Sequence, residues 1–298
     1  MKYLLIGLSM LFSGLAAANP ITHELTASDF ATPPKRIISI DWATTETLIS
    51  LGVTPLGIAD IKGYQQWVIR PTLPKGILDV GARNEPNLEL ISSLKPDLIL
   101  ISSSLSPAYD KLSKIAPTIM YNVYNEEKTP LKNVQALTLK LGNILGKRQA
   151  AAKLIAHTQT LLRKNGETIR AAHPNLDPLL FVRIVDNSTL HFQGKGSLIN
   201  DTIHAMGLKN EWHGKTNFWG FSTVEIAKIA EHQQANVFLL QSVKKAEKKK
   251  FLNSPLWKAM AFSQQHKVYE LPPIWSYGGL LAAQRFSNQL VNLLTEQP

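Results

Sequence analysis

The stretch KRQAAAKLIAHTQTLLRKNGETIRAA, Lys147 to Ala172, decides the fold. It holds no proline and no strand signal. Ala151, Leu154, Ile155, Leu161, Leu162 and Ile169 recur near the helical period. Gly142 and Gly146 break it from the helical run that begins at Leu131, and Pro174 closes it. At 1.5 Å per residue a helix over 147–172 spans about 39 Å, comparable with the width of a domain.

Both flanks of this helix alternate between short apolar runs and helical patterns. Before it, RIISI, TPLGIAD, ILDVG, DLILIS and TIMYNV read as strands, with helices in TTETLISLG, NLELISSLK and YDKLSKIA. After it, PLLFVRIVD, TLHFQG, ANVFLLQS and KVYELP read as strands. SLINDTIHAMG, TVEIAKIAEH, SPLWKAMAF and GGLLAAQRFSNQLVNLLTEQ read as helices. Alternation at this pace implies βα units and mainly parallel pairing. The fold class is therefore α/β: two αβ lobes joined by a single long helix, with a ligand cleft between them. The boundaries are residues 36–146 for the N-terminal lobe, 147–172 for the linking helix and 173–298 for the C-terminal lobe. A faint repeat supports two lobes: Glu89 opens a helix leading to KPDLILIS, and Glu225 one leading to QANVFLLQS. A chain of 298 residues, 44% of them hydrophobic, is expected to bury two cores rather than one.

Residues 1–18, MKYLLIGLSMLFSGLAAA, carry Lys2, an apolar run and small residues at the end, the pattern of a cleaved secretory signal. Residues 19–35 form a polar lead expected to be poorly ordered. The mature protein is expected to be soluble in a bacterial periplasm. With no cysteine, it has neither a disulfide nor a thiol for a lipid anchor. Losing Lys2 from 32 basic residues, against 22 acidic ones, leaves a net charge of +9. That balance favours an anionic small ligand or a membrane surface. Export and the lack of a basic-aromatic signature argue against nucleic acid. The run KKAEKKK, Lys244 to Lys250, reads as a solvated helix start.

Catalytic patterns are weak. No G-x-S-x-G occurs, and GKGSLIN (Gly194 to Asn200) lacks the third glycine of a dinucleotide fingerprint. Its Ser197 reads as a helix N-cap. The eight histidines are scattered without metal-ligand spacing. The expectation is a binding protein, not an enzyme, with no resident metal or cofactor.

Tryptophan in loop contexts is in surplus. Trp42 follows the first strand, Trp67 lies between strand candidates, and Trp275 and Tyr277 follow the last strand. TNFWGFS, Thr216 to Ser222, places three rings around Gly220. In open parallel sheets, ligands bind outside the strand ends. Arg83, at a strand end in VGARNEPNLEL, offers paired donors to planar oxygen pairs.

Taken together, VGARNEPNLELISSLKP, KLSKIAP, TNFWG, SPLWKAM and PPIWSYGG resemble the periplasmic binding proteins for ferric hydroxamate siderophores, the binding components of iron-importing ABC transporters. The resemblance runs over most of the mature chain. It implies that Arg83 hydrogen-bonds hydroxamate oxygens around iron, and that Trp42, Trp67, Asn217, Trp219, Trp275 and Tyr277 line the pocket. Glu89 and Glu225 match acidic residues that dock onto the membrane permease. The implied partners are the ferric siderophore, which brings the iron, and the inner-membrane permease with its ATPase; a monomer is expected. The chain departs from the family at Leu105, where the family has a hydrogen-bonding tyrosine that Tyr109 is placed to replace. It departs also at Ile101, where the family has a tryptophan, and at Phe221 before Ser222, where the family often has a small polar residue. These departures leave open a catecholate or carboxylate siderophore, heme or a corrinoid as ligand. An exported hydrolase is the third reading. The long helix predicts a small closure on binding.

Overall fold

A computed structural model describes residues 25–240 and 245–295. The expected signal, residues 19–24 of the lead and Lys244 of the basic run lie outside the described residues. From residue 25 the lead is part of the fold. Ala27–Asp29 form a 3-10 turn, and Leu25 and Phe30 pack against the central core.

The first sheet holds β1 (Ile37–Ser39), β2 (Gly57–Ile58), β3 (Leu78–Asp79), β4 (Leu98–Ser102) and β5 (Thr118–Tyr121). Its order is β3-β2-β1-β4-β5, and every pair is parallel. Interior β4 reads Leu-Ile-Leu-Ile before Ser102 because apolar clusters cover both of its faces. The helix α1 (Trp42–Ser50) starts just beyond β1, and α2 (Leu88–Ser93) follows β3 after the loop 80–87. Each is capped by a side chain that accepts from the first turn, Asp41 from Ala43 and Asn87 from Leu90.

The second sheet holds β6 (Leu179–Ile184), β7 (Thr189–Gln193), β8 (Phe221–Glu225), β9 (Asn236–Leu239) and β10 (Val268–Glu270), ordered β10-β9-β6-β7-β8. β10, β9 and β6 are parallel, whereas β7 is antiparallel to both β6 and β8. The segment TVEIAKIAEH therefore departs from its helical reading. Thr223, Val224 and Glu225 finish β8, and only Ile226–Glu231 turn, as a 3-10 helix. Pairing with β7 suits the β-branched Thr223 and Val224, and overrides the apolar spacing that suggested a helix. The likeness between lobes is partial: Glu89 lies in the first turn of α2, while Glu225 ends β8 and also caps the 3-10 helix that leads to β9.

Helices α3 (Pro130–Ile144), α4 (Arg148–Ala172) and α5 (Leu198–Ala205) pack on one another within the apolar cluster that spans the lobes. α4 buries Ala151, Thr158, Leu162, Asn165, Gly166 and Ile169 along one stripe. Polar members of that stripe meet α6 (Leu280–Thr295). Asn165 donates to Ser287 Oγ at 3.0 Å and Asn288 Oδ1 at 2.7 Å, and Gln284 donates to Thr158 Oγ1 at 2.7 Å.

The lobes do not keep separate cores. One apolar cluster runs from Leu98 and Leu100 of β4 through α3, α4 and α6 to Phe181 and Phe238 of the second sheet. Further clusters fill the outer face of each lobe. The expectation of two cores gives way because α3, α4, α5 and α6 join the apolar face of one sheet to that of the other in a single cluster.

Candidate functional site

A cavity of about 520 Å³ opens between the lobes at the carboxyl ends of the first sheet. Every strand of that sheet delivers a lining residue there: Asp41 after β1, Asp60 after β2, Arg83 after β3, Ser102 from β4 and Tyr124 after β5. The C-terminal lobe supplies the facing wall as rings: Trp219, Phe221, Trp275 and Tyr277.

Arg83 is held by rings rather than by an acid. Its Cζ lies 3.8 Å from the centroid of Trp42 and 4.9 Å from that of Trp275. These two rings stand edge to face at 4.7 Å. Trp42 is 1% exposed and donates its indole N–H to Ala59 O, so it forms a floor beneath the guanidinium. Such cation–ring stacking leaves the N–H edge of Arg83 for a ligand.

Trp275 continues into Tyr277 at 5.3 Å, and Tyr277, Trp219 and Tyr124 stand within 5.6 Å of one another. Tyr124 joins the lobes, donating from its hydroxyl to Ser276 O at 3.1 Å. Just beyond it, Lys128 Nζ donates to the carbonyl and hydroxyl of Thr216. Burial keeps the Tyr124 and Tyr277 hydroxyls protonated by raising them above the usual tyrosine range, although nearby Arg183 partly offsets this at Tyr277.

TNFWGFS is a tight turn that presents rings. Asn217 Oδ1 accepts from the backbone N–H of Trp219 at 2.9 Å and of Phe221 at 3.2 Å. Gly220 takes φ +79°, and its carbonyl accepts from Gly194 N. Trp219 is left 38% exposed at the cavity. Phe221 lines the wall with His191 stacked behind it at 4.2 Å.

Of the residues singled out in the sequence, Arg83, Trp219, Trp275 and Tyr277 line the cavity, and Trp42 underlies it. Trp67 packs in the cluster of Trp42, Tyr64 and Val68, away from the lining. Asn217 spends its side-chain oxygen on the turn. Ser222 is buried, donating to Lys215 O and accepting from Trp212 Nε1. Tyr109 heads the short helix Tyr109–Ser113 against the outer core, outside the lining. Leu105 and Ile101, the two departures on this side, are both buried in that core. Glu89 and Glu225 are exposed, one on each lobe. Sequence reasoning missed Asp41, Asp60, Tyr124 and Ser102–Ser104. Their common signal is position, at or just past a strand's carboxyl end. Among the described residues, no group of three or more His, Asp or Glu stands together as a metal site. No described helix is long and apolar enough to cross a membrane.

The sequence model of the periplasmic binding protein family matches residues 37–274. The chain belongs to the periplasmic binding protein family. Among relatives of this periplasmic binding protein, the iron(3+)-hydroxamate-binding protein FhuD of Escherichia coli is 31% identical over 279 residues, 93% of each chain. The Fe(3+) dicitrate-binding periplasmic protein FecB of the same organism is 32% identical over 164 residues, 54% of this chain and 53% of that one. Among solved structures, the siderophore-binding protein FhuD from Vibrio cholerae, bound to Fe3+–Desferal, superposes with a TM-score of 0.83. It is 26% identical, and the match covers 89% of this chain and 99% of that one.

Proposed function

We propose that this chain captures a ferric hydroxamate siderophore in the inter-lobe cleft and delivers it to an inner-membrane ABC permease and its ATPase. The observation that carries the reading is Arg83, stacked between Trp42 and Trp275 at the head of a ring-lined cavity. The E. coli relative named for iron(3+)-hydroxamate binding and the V. cholerae relative bound to Fe3+–Desferal support it.

The chemistry suits the residues. A hexadentate chelate fills the octahedral shell of Fe(III), so the protein supplies no metal ligand. It supplies apolar ring faces for the chelate's body and a few donors for its outward oxygens. Arg83 gives charge-assisted bonds, and Trp219 and Trp275 give rigid contact area. Binding, rather than turnover, is the activity. Glu89 and Glu225, exposed on separate lobes, are the points that meet the permease. The chain works in the periplasm, as a monomer, after its signal is removed. Asp41 and Asp60 line the cavity beside the Arg83 guanidinium, which disfavours polyanionic chelates such as ferric citrate.

The test is a fluorescence titration with ferrichrome, ferrioxamine and aerobactin as ferric complexes, and with ferric citrate. Saturable quenching by hydroxamates is expected. Arg83→Ala is expected to weaken binding about 30-fold or more with folding intact. No saturable quenching by any hydroxamate would remove this ligand class.

A further inference from the structure

Glu46 lies in α1, one turn beyond Trp42, and is 0% exposed. Its Oε2 accepts from the backbone N–H of Gly279 at 2.7 Å, a bond that crosses from the N-terminal lobe to the end of the strap Trp275–Gly279. That distance is in the charge-assisted range. Its Oε1 has no hydrogen bond and faces Arg285 Nη2 of α6 at 3.5 Å. Neither terminal nitrogen of Arg285 has a hydrogen-bond partner. The strap's glycines fit this carboxylate. A Cβ at Gly278 would stand 2.8 Å from Glu46 Oε2, and one at Gly279 3.4 Å from it. The same strap carries Trp275, which lies against Arg83 and stands edge to face with Trp42, and Tyr277, which touches Trp219.

We propose that Glu46 is a positioning residue for the cleft: a buried carboxylate of one lobe that fixes the strap bearing Trp275 and Tyr277 from the other. This goes beyond the functional reading, and its effect on affinity rests on that reading. Ionised Glu46 holds Gly279 N–H by a charge-assisted bond and attracts Arg285. Protonated, it keeps only a neutral bond, and the strap loosens. The groups that face Glu46 are Arg285 from α6, Asp41 at the start of α1 and Tyr64 from the segment after Asp60. Burial raises the Glu46 carboxyl to about 7, with Arg285 and the Gly279 N–H opposing and Asp41 adding to the rise. Its titration thus falls at neutral pH. His191, stacked on Phe221, is held below its ordinary value by burial and Arg183, so it titrates lower.

Three measurements on the full mature chain test this. Near-UV circular dichroism of the ligand-free protein reports the ring cluster; it is expected to change between about pH 6 and pH 8 in the wild type and to stay flat in Glu46→Gln. Ferrioxamine B affinity is expected to rise about three- to tenfold over the same range in the wild type. In Glu46→Gln it is expected to stay at the wild-type low-pH value, because glutamine mimics the neutral acid. Calorimetry in buffers of different ionisation enthalpy is expected to show part of a proton released on binding at pH 7 by the wild type. Parallel pH profiles in both proteins, with no proton release, would overturn the proposal. If no hydroxamate binds at any pH, the functional reading fails, while the ligand-free dichroism still decides the role of Glu46. If Glu46→Gln does not fold, the wild-type proton release decides it.

Discussion

Replacing Gly220 by alanine separates two costs that the structure assigns to this position. Gly220 sits at φ +79°, where an L side chain costs about 1–2 kcal/mol. Gly76, at φ +87° on an open loop, has nothing within 4 Å of a would-be Cβ. Gly76→Ala therefore measures the backbone cost alone. At Gly220 the added Cβ would stand 2.0 Å from Ser197 N and 2.1 Å from Gly196 C, both backbone atoms, so the 194–197 turn must move. Two bonds depend on that turn: Gly194 N to Gly220 O at 2.9 Å, and the cap of the helix Leu198–Ala205 by Ser197 Oγ. At about 1 kcal/mol each, they make Gly220→Ala about 2 kcal/mol more destabilising than Gly76→Ala. The assay is urea unfolding of both variants beside wild type, followed by ferrioxamine B titration. Gly76→Ala is expected to bind normally. Gly220→Ala is expected to bind more weakly, because the turn carries Trp219 and Phe221. Equal destabilisation by the two variants would refute the close backbone approach.

Three further outcomes are expected. Glu46 has a folded-state pKa above its unfolded value, so its ionisation opposes folding: the stability difference between wild type and Glu46→Gln falls by about 3 kcal/mol as pH rises from 4.5 to about 7, read by urea unfolding across that window. Asn165→Ala removes two buried donations between the long helix and the terminal helix and lowers stability by about 1–3 kcal/mol in the same assay, without changing ligand affinity. The cross-lobe bonds of Tyr124, Lys128 and Glu46 restrain closure, so small-angle scattering should change by less than about 1 Å on ligand addition, from the roughly 19 Å radius expected of a compact chain this size.

Much of the site was legible because strand ends in a parallel sheet are fixed by local pattern. ILDVG predicts a strand and so places Arg83 at its mouth. RIISI does the same for Trp42, although only the packing shows that Trp42 lies under the guanidinium. Trp67, Ser222 and Tyr109 were chosen by the same logic or by resemblance, yet Trp67 and Tyr109 pack half-buried against apolar clusters and Ser222 bonds to Lys215 and Trp212. A loop residue's direction depends on partners distant in the chain, such as Trp212 for Ser222. Asn217, which the resemblance places in the pocket, spends its side-chain oxygen on the turn that presents Trp219.

The sequence alone determined the long helix, the α/β alternation on both sides and the resemblance that names the ligand class, because helical and strand periods are local properties. It misread Thr223–Glu225, because antiparallel pairing with β7 outweighs local spacing. Tertiary structure alone decided that the inner faces of the two lobes share one core, since α3, α4 and α6 pack on one another and join both sheets in a single apolar cluster. It alone paired Glu46 with Gly279, 233 residues apart. No local pattern can announce a buried carboxylate whose partners arrive from the other end of the chain.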